Sequence, residues 1–349
     1  MAEEGYRTGN IPDDFHSNDF PLFSEGEVQT ALSEGSAAAS EVSSAEPFIL
    51  PDLPPVYNQL QINSCTANAS CAALRYAHKK YSGKQYTEFE PSRLFAYYYG
   101  RIARRPEDLT ENETTQEKTQ DIVKEDSGSN NRRIIHTFLM QGVCKEALWP
   151  YGTPTSKGKP LVFDASRVPN PCEPVDWAKV SFNAKASSHP NDPKALSGEE
   201  DTIPRAISFY RIYDANKTSD VGGTWQIIYN NPGVALLEKA LLSGWPFIFG
   251  TRLYKGASLE GAQIDENGVY LKPSKNNTIH DIGGHAMMAV GFDKTRKLFL
   301  VQNSWGENWP SNCKDNRCKG RFWMPYEWFE YVVKGMPTTY DYWVIKFGQ

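Results

Sequence analysis

Three side chains in this sequence have the type and spacing for covalent chemistry: Cys65 in QINSCTANASC, His285 in GGHAMMAVGF and Asn303 in LVQNSW. A cysteine among alanines also suits a small buried hydrophobe. In the first turn of a helix, however, a thiol faces unsatisfied backbone N–H groups and the positive end of the macrodipole, and both favour the thiolate. Such a nucleophile needs a base. Five of the six histidines (His16, His78, His136, His189 and His280) sit in polar, basic or helical settings without an orienting partner. His285 instead opens an alternating run that puts His285, Met287, Ala289 and Gly291 on one strand face, and a five-residue turn, DKTRK, leads into LFLVQNSW. If Phe292 pairs with Leu298, Met287 faces Asn303 and His285 faces Trp305, all four on one side. The Asn303 amide oxygen can then accept the imidazole N–H, fixing the tautomer while the other ring nitrogen addresses a thiolate.

The elements that must position these groups are legible as periodicity and punctuation. Small and apolar residues at 69, 72, 73, 76 and 77 predict a helix starting at or just before Cys65. Further helices are expected in PSRLFAYYYGRI after Pro91, in NRRIIHTFLMQG ending at Gly142 and in VALLEKALLSG ending at Gly244. Beyond residue 245 the texture changes to short apolar runs between turn residues: WPFIFGTRL, GVYL, GHAMMAVGF, KLFLVQNSW, GRFWMP and DYWVIKF. That pattern predicts an antiparallel sheet, hence an α+β fold. The segment 105–131 reads as a long polar loop.

Composition bounds the partners. The chain of 349 residues is 40% hydrophobic with a formal charge of −5 and a pI near 5.8, which lacks the basic footprint that nucleic acid requires. No apolar run approaches the roughly 20 residues that span a bilayer, and the first ten residues are polar and acidic rather than basic then apolar. The expectation is no nucleic acid, no membrane and a cytoplasmic location. Residues 1–48 carry ten acidic side chains against Arg7, a charge of −9, while the remainder carries 32 acidic and 36 basic groups, +4. The leader, low in aromatics and rich in Ser, Ala and Glu, is expected to be disordered, and its opposite sign would draw it to the body.

Six cysteines at 65, 71, 144, 172, 313 and 318 are too few and irregular for a disulfide-stapled scaffold. Cys313 and Cys318 could close a local disulfide or supply two ligands to a metal, although no second ligand pair or nearby histidine supports a metal. Four Asn-Xaa-Ser/Thr triplets, at Asn68, Asn112, Asn216 and Asn276, would matter in a secreted chain.

Three separated motifs in this order, Gln59-Xaa5-Cys65 (QLQINSC), Gly284-His285-Ala286 and VQNSWGENW (301–309), resemble the papain-like cysteine peptidases. PSRLFAYYYGR, DSGSNNRR, GVCKEALWPY and GRFWMPYEWF are similar to a branch with bacterial and other non-lysosomal members, so the resemblance covers roughly residues 49–347. It implies a two-domain α+β fold with the cleft between a helical domain and an antiparallel β domain, and hydrolysis of peptide or protein substrates without cofactor or metal. Cys65 would be the nucleophile, His285 the general base and acid, and Asn303 the residue orienting His285. Gln59 would complete the oxyanion hole with the Cys65 N–H, and Trp305 would shield the Asn303–His285 hydrogen bond. The implied organisation is a leader (1–48), a helical domain carrying the nucleophile (49–175) and a mainly β domain carrying His285 and Asn303 (176–349). The same catalytic set would also serve a transpeptidase, ligase or isopeptidase, and a silent peptide-binding scaffold would keep the same cleft. This sequence departs from the lysosomal type at Ile62, where that pattern has a cysteine, and at Thr66, where it has an aromatic residue. It also separates Cys65 from His285 by more than the roughly 130–150 residues of that type, and the leader lacks its long helical propeptide pattern.

Overall fold

The computed structural model of the chain describes residues 9–13, 22, 46–83, 89–102, 126–140, 142–143, 145–147, 150–151, 207–213, 219–221, 224–226, 232–254, 259, 263–272, 281–333 and 336–347. His16, His189, His280, Cys144, Cys172, three of the four Asn-Xaa-Ser/Thr sites and residues 105–125 of the polar loop lie outside the described residues.

Helix α1 (Cys65–Ser82) begins at the thiol and ends at Gly83, whose φ of 67° closes the last turn through its N–H to the Lys79 carbonyl. Every residue from Cys65 to His78 is buried. A helix buried all round is central to its domain, and here alanines at 67, 69, 72, 73 and 77 keep its girth small against the sheet. A substitution such as Ala72→Leu would overpack that contact, costing about 1–3 kcal/mol. Around α1 lie α2 (Arg93–Ile102), capped by Ser92 Oγ accepting the Phe95 N–H at 3.1 Å, and α3 (Asn131–Met140), capped by Asn130 Oδ1 accepting the Arg133 N–H at 2.8 Å. Helix α4 (Val234–Leu242) lies between Gly233 and Gly244, as its punctuation predicts.

The sheet contains β1 (Phe48–Ile49), β2 (Ile207–Arg211), β5 (Phe247–Tyr254), β6 (Asp281–Asp293), β7 (Leu298–Gln302), β8 (Arg321–Pro325) and β11 (Thr339–Phe347), ordered β2-β11-β5-β6-β7-β8 with β1 also on β6. Its pairings are antiparallel. Two separate two-stranded ribbons are β3–β4 (Ser219–Val221, Thr224–Gln226) and β9–β10 (Val332–Val333, Met336–Pro337), and a short helix α5 (Glu327–Glu330) follows β8. GVYL, expected as a strand, supplies two bridge residues, Val269 and Tyr270. One sheet face, with Ala286, Met288 and Val290, packs on α1 and its neighbours, while Met287, Ala289 and Phe292 join a second core with α4, Trp305 and Trp328.

The β6–β7 hairpin differs from its expected register at the turn. Asp293 pairs with Leu298 and Phe292 with Phe299, so the turn is the four residues Lys294–Lys297, with Lys297 at φ 57°. An irregularity between Ala289 and Gly291 then absorbs one residue, after which Ala289 pairs with Val301 and Met288 with Gln302. The extra residue flips the alternation, so Phe292 rather than Gly291 continues the Met287 and Ala289 face. Near the site, the register is therefore the expected one. Gly291 serves instead to admit β1, because a Cβ there would meet the Phe48 carbonyl oxygen at 2.5 Å.

Part of the leader is ordered, against the expectation of disorder. Gly9 and Asn10 both donate their N–H to the Gly284 carbonyl (3.0 and 2.9 Å), Ser129 N–H donates to Gly9 O (2.8 Å) and Ile11 N–H to Ser129 O (2.8 Å). The physical reason lies two residues on. Asp13 is buried among cations and donors: Arg132 N–H (3.1 Å) and Trp343 Nε1 (2.8 Å) donate to its carboxylate, and its own N–H donates to Asp341 Oδ2 (2.5 Å), while Arg211 binds Asp341 Oδ1 at 2.7 Å. Burial raises the pKa of both carboxyls, and Asp13 adds its negative charge against ionisation of Asp341.

Candidate active site

His285 lies in β6 and Asn303 directly follows β7, and the hairpin brings His285 Nε2 to 2.7 Å from Asn303 Oδ1. The Ser304 N–H donates to the same Oδ1 at 2.8 Å, which fixes the amide with its oxygen toward the ring. Since that oxygen can only accept, Nε2 carries the proton and Nδ1 is left with its lone pair. Nδ1 has no hydrogen-bond partner among the described residues. The Trp305 ring lies 5.0 Å from the imidazole and is itself backed edge-on by Trp309 at 5.1 Å. This aromatic stack excludes water from one side of the His285–Asn303 bond, where a low dielectric strengthens it.

Cys65, at the N-terminus of α1, is fully buried, as is His285. Backbone hydrogen bonds from Ala286, the residue after His285, from Gly9 of the leader, and from Thr66 and Cys65 itself act on the thiol and favour its anion. Burial outweighs them and pushes the thiol up to about 11. The same cause pushes His285 down to about 4, with the Asn303 hydrogen bond opposing it. With the leader in place, both groups are thus neutral near pH 7.

Gln59 is buried on a tight loop that closes onto the Asn303 segment. Its Oε1 accepts from Ser304 Oγ at 2.6 Å, its Nε2 donates to the Ile62 carbonyl at 2.8 Å, and its backbone N–H donates to Ser304 O at 2.8 Å. Tyr151 braces the loop from behind, donating to the Gln59 carbonyl at 2.8 Å and sharing a 2.5 Å hydrogen bond with Ser64 Oγ. Arg93 stacks 4.0 Å over the Tyr151 ring and pairs with Glu146 at 2.8 Å. The four candidate residues thus converge through β6, the end of β7, the α1 N-terminus and the preceding loop. Sequence reasoning missed Ser304 and Tyr151. Ser304 sits inside VQNSWGENW and could have been found by asking what holds the Gln59 amide, whereas nothing local marks Tyr151.

Cys313 and Cys318, left open between disulfide and metal ligation, are free thiols that both flank Gly268, where a Cβ would meet their sulfurs at 2.8 and 2.1 Å. No group of three or more potential metal ligands converges among the described residues. Asn68, the one described glycosylation triplet, is buried and donates to the Ser64 carbonyl at 2.9 Å. No described helix is long and apolar enough to cross a membrane.

A thiol heads the central helix, and β6 and the residue after β7 supply the His285–Asn303 pair in a helix-on-antiparallel-sheet fold. No family model matches the chain. A peptidase C1-like protein of Acanthamoeba polyphaga mimivirus is 30% identical over 289 residues, which is 83% of this chain and 68% of that one. Among solved structures, xylellain, a cysteine protease from Xylella fastidiosa, is 25% identical with a TM-score of 0.58, covering 99% of this chain and 97% of its own. Procathepsin B S9 from Trypanosoma congolense is 11% identical with a TM-score of 0.50, covering 98% of this chain and 87% of its own, and shares the fold. The chain belongs to the papain-like cysteine peptidases, the C1 family.

Proposed function

We propose that this peptidase hydrolyses peptide bonds through an acyl-enzyme on Cys65. The observation that carries the reading is the His285 Nε2 to Asn303 Oδ1 hydrogen bond, because it holds the ring with Nδ1 unprotonated and available as a base. His285 Nδ1 takes the Cys65 proton, the thiolate attacks the substrate carbonyl, and the oxyanion is held by the Gln59 amide and the Cys65 backbone N–H. The imidazolium returns its proton to the leaving amine. Water, deprotonated by Nδ1, then releases the acid and restores the thiol. In this reading the helical part carries the nucleophile, the sheet carries His285 and Asn303, and peptide lies between them.

The leader is read as a self-bound occupant of that cleft, held by Asp13 and by the backbone contacts of Gly9 and Asn10. Burial is the largest cause of both the raised thiol and the lowered imidazole, so displacing the leader hydrates the pair and eases formation of the thiolate and imidazolium. The test is mass-spectrometric mapping after exposure to an epoxysuccinyl inhibitor. An adduct on Cys65 that is lost in His285→Ala supports the mechanism, and faster labelling in the Asp13→Ala full chain supports the leader's role. Equal labelling of wild type and His285→Ala would remove His285 as the base.

A further inference from the structure

The passage beside Cys65 is wide enough for peptide backbone and too narrow for a side chain. Gly9 occupies it, with its N–H hydrogen-bonded to the Gly284 carbonyl and acting on the Cys65 thiol. A Cβ built on Gly9 would lie 2.2 Å from the Asn63 carbonyl oxygen and 2.7 Å from Asn63 Cβ. The opposite wall is Gly128, at φ 79°, where a Cβ would lie 2.2 Å from the Gly9 carbonyl oxygen. Both walls therefore touch the Gly9 backbone itself.

Two linked residues hold the walls. The Asn63 N–H donates to both Asp126 carboxylate oxygens at 3.0 Å, and Asn63 Nδ2 donates to the Asp126 carbonyl at 2.7 Å. Tyr97 donates to Asp126 Oδ1 at 2.5 Å and accepts the Gly128 N–H at 3.0 Å. Asp126 and Tyr97 thus brace Asn63 and Gly128 together, so a side chain entering between them would have to break several hydrogen bonds. Past this passage the requirement changes. The next leader residue, Asn10, keeps its side chain buried, with Nδ2 donating to Tyr340 OH at 3.2 Å in a space left by Gly250.

From this geometry we propose that the enzyme selects glycine as the residue whose carbonyl is attacked by Cys65, with Asn63 as the specificity-determining wall. The proposal rests on the peptidase reading above and deepens it. A scissile carbonyl must come within bonding distance of Sγ, and the residue bearing it then passes between Asn63 and Gly128, where Gly9 lies now, with its carbonyl turned to Sγ rather than, as in Gly9, to the Ser129 N–H. Glycine passes without displacing either wall, while alanine already meets Asn63.

The test uses the full-length chain. Fluorogenic peptides that differ only at that residue (Gly, Ala, Leu, Lys) are assayed with the Asp13→Ala chain, whose leader is unlatched, and with Asp13→Ala/Asn63→Gly. The expected result is a kcat/KM preference for glycine of about tenfold or more over alanine, in the range that one misfitting methyl group commands, and a clear narrowing of that ratio with Asn63→Gly. A second arm needs no turnover: Gly9→Ala in the otherwise native chain should lose its place in the passage and speed epoxysuccinyl labelling of Cys65. Equal rates for glycine and lysine peptides would overturn the specificity and leave the peptidase standing. Absence of both cleavage and Cys65 labelling in every variant would overturn the two together.

Discussion

The Ser304 hydroxyl donates to Gln59 Oε1 at 2.6 Å, tying the residue after Asn303 to the loop that leads into Cys65. Ser304 N–H also donates to Asn303 Oδ1. A single residue therefore aims both the Asn303 amide, read as orienting the base, and the Gln59 amide, read as the oxyanion donor. Ser304→Ala is expected to lower kcat about fivefold to tenfold with little change in KM, the worth of one buried hydrogen bond near 1 kcal/mol. Gln59→Ala should cost more, roughly a hundredfold to a thousandfold. Steady-state kinetics on the double variant distinguishes the roles: a loss no greater than that of Gln59→Ala means that Ser304 acts through Gln59.

Asn303→Ala removes the acceptor for His285 Nε2 and leaves the ring free to turn. Loss of that hydrogen bond, which strengthens as the imidazole becomes charged, is expected to reduce kcat/KM roughly tenfold to a hundredfold. The acid limb of the pH–rate profile should move down, since the bond opposes the lowering of the His285 pKa. An unmoved limb with the same rate loss would mean that Asn303 matters for packing instead.

Alkylation of Cys65 by iodoacetamide should follow the state of the leader. With the cleft covered, burial holds the thiol near 11, so the rate should climb steadily across the alkaline range. In Asp13→Ala the curve should shift to lower pH as water reaches the sulfur. Identical curves would show that Asp13 does not hold the cover.

Stability should depend on pH through His285. Its folded value lies near 4, below the ordinary 6.5. Between these values the unfolded chain binds a proton that the folded one refuses, so stability falls as pH drops from about 6.5 toward 4. Within that window the slope approaches about 1.4 kcal/mol per pH unit. Urea denaturation at pH 7 and pH 5 should therefore converge in His285→Gln, and an unchanged difference between the two pH values would assign the effect to other groups.

Periodicity and punctuation made the helices and the sheet legible, because Pro91, Gly244 and the alternating runs each act locally. Cys65, His285 and Asn303 were legible because two short-range features, a helix start and a hairpin, place them. The hairpin turn was misread by one residue, since the irregularity beside Val290 lies where β1 pairs with Gly291, a contact that local pattern does not contain. The order of Gly9 to Asp13 within the leader was missed for the same reason. Asp13 looks like one more acidic residue in a polar tail, and its partners Arg132, Arg211, Asp341 and Trp343 are brought together by the tertiary fold alone. Tyr151 and Asp126 are likewise long-range braces, joined to the Cys65 loop across the fold.

The strand β1 gives the leader a property of its own. Phe48 and Ile49 are stitched to β6, while Gly9 to Asp13 bond to Gly284, Ser129, Arg132 and Trp343, so in the reading proposed above the occupant and the strand that follows it are both anchored on the same molecule. In that reading, covering the site is a first-order event, governed by an effective concentration rather than by the bulk one. Dilution would then leave it covered. A single cut between Asp13 and Phe48 would turn the same contacts into a bimolecular equilibrium, in which the freed segment competes at bulk concentration with every peptide in solution. Enzyme activity should then depend on protein concentration only after such a cut.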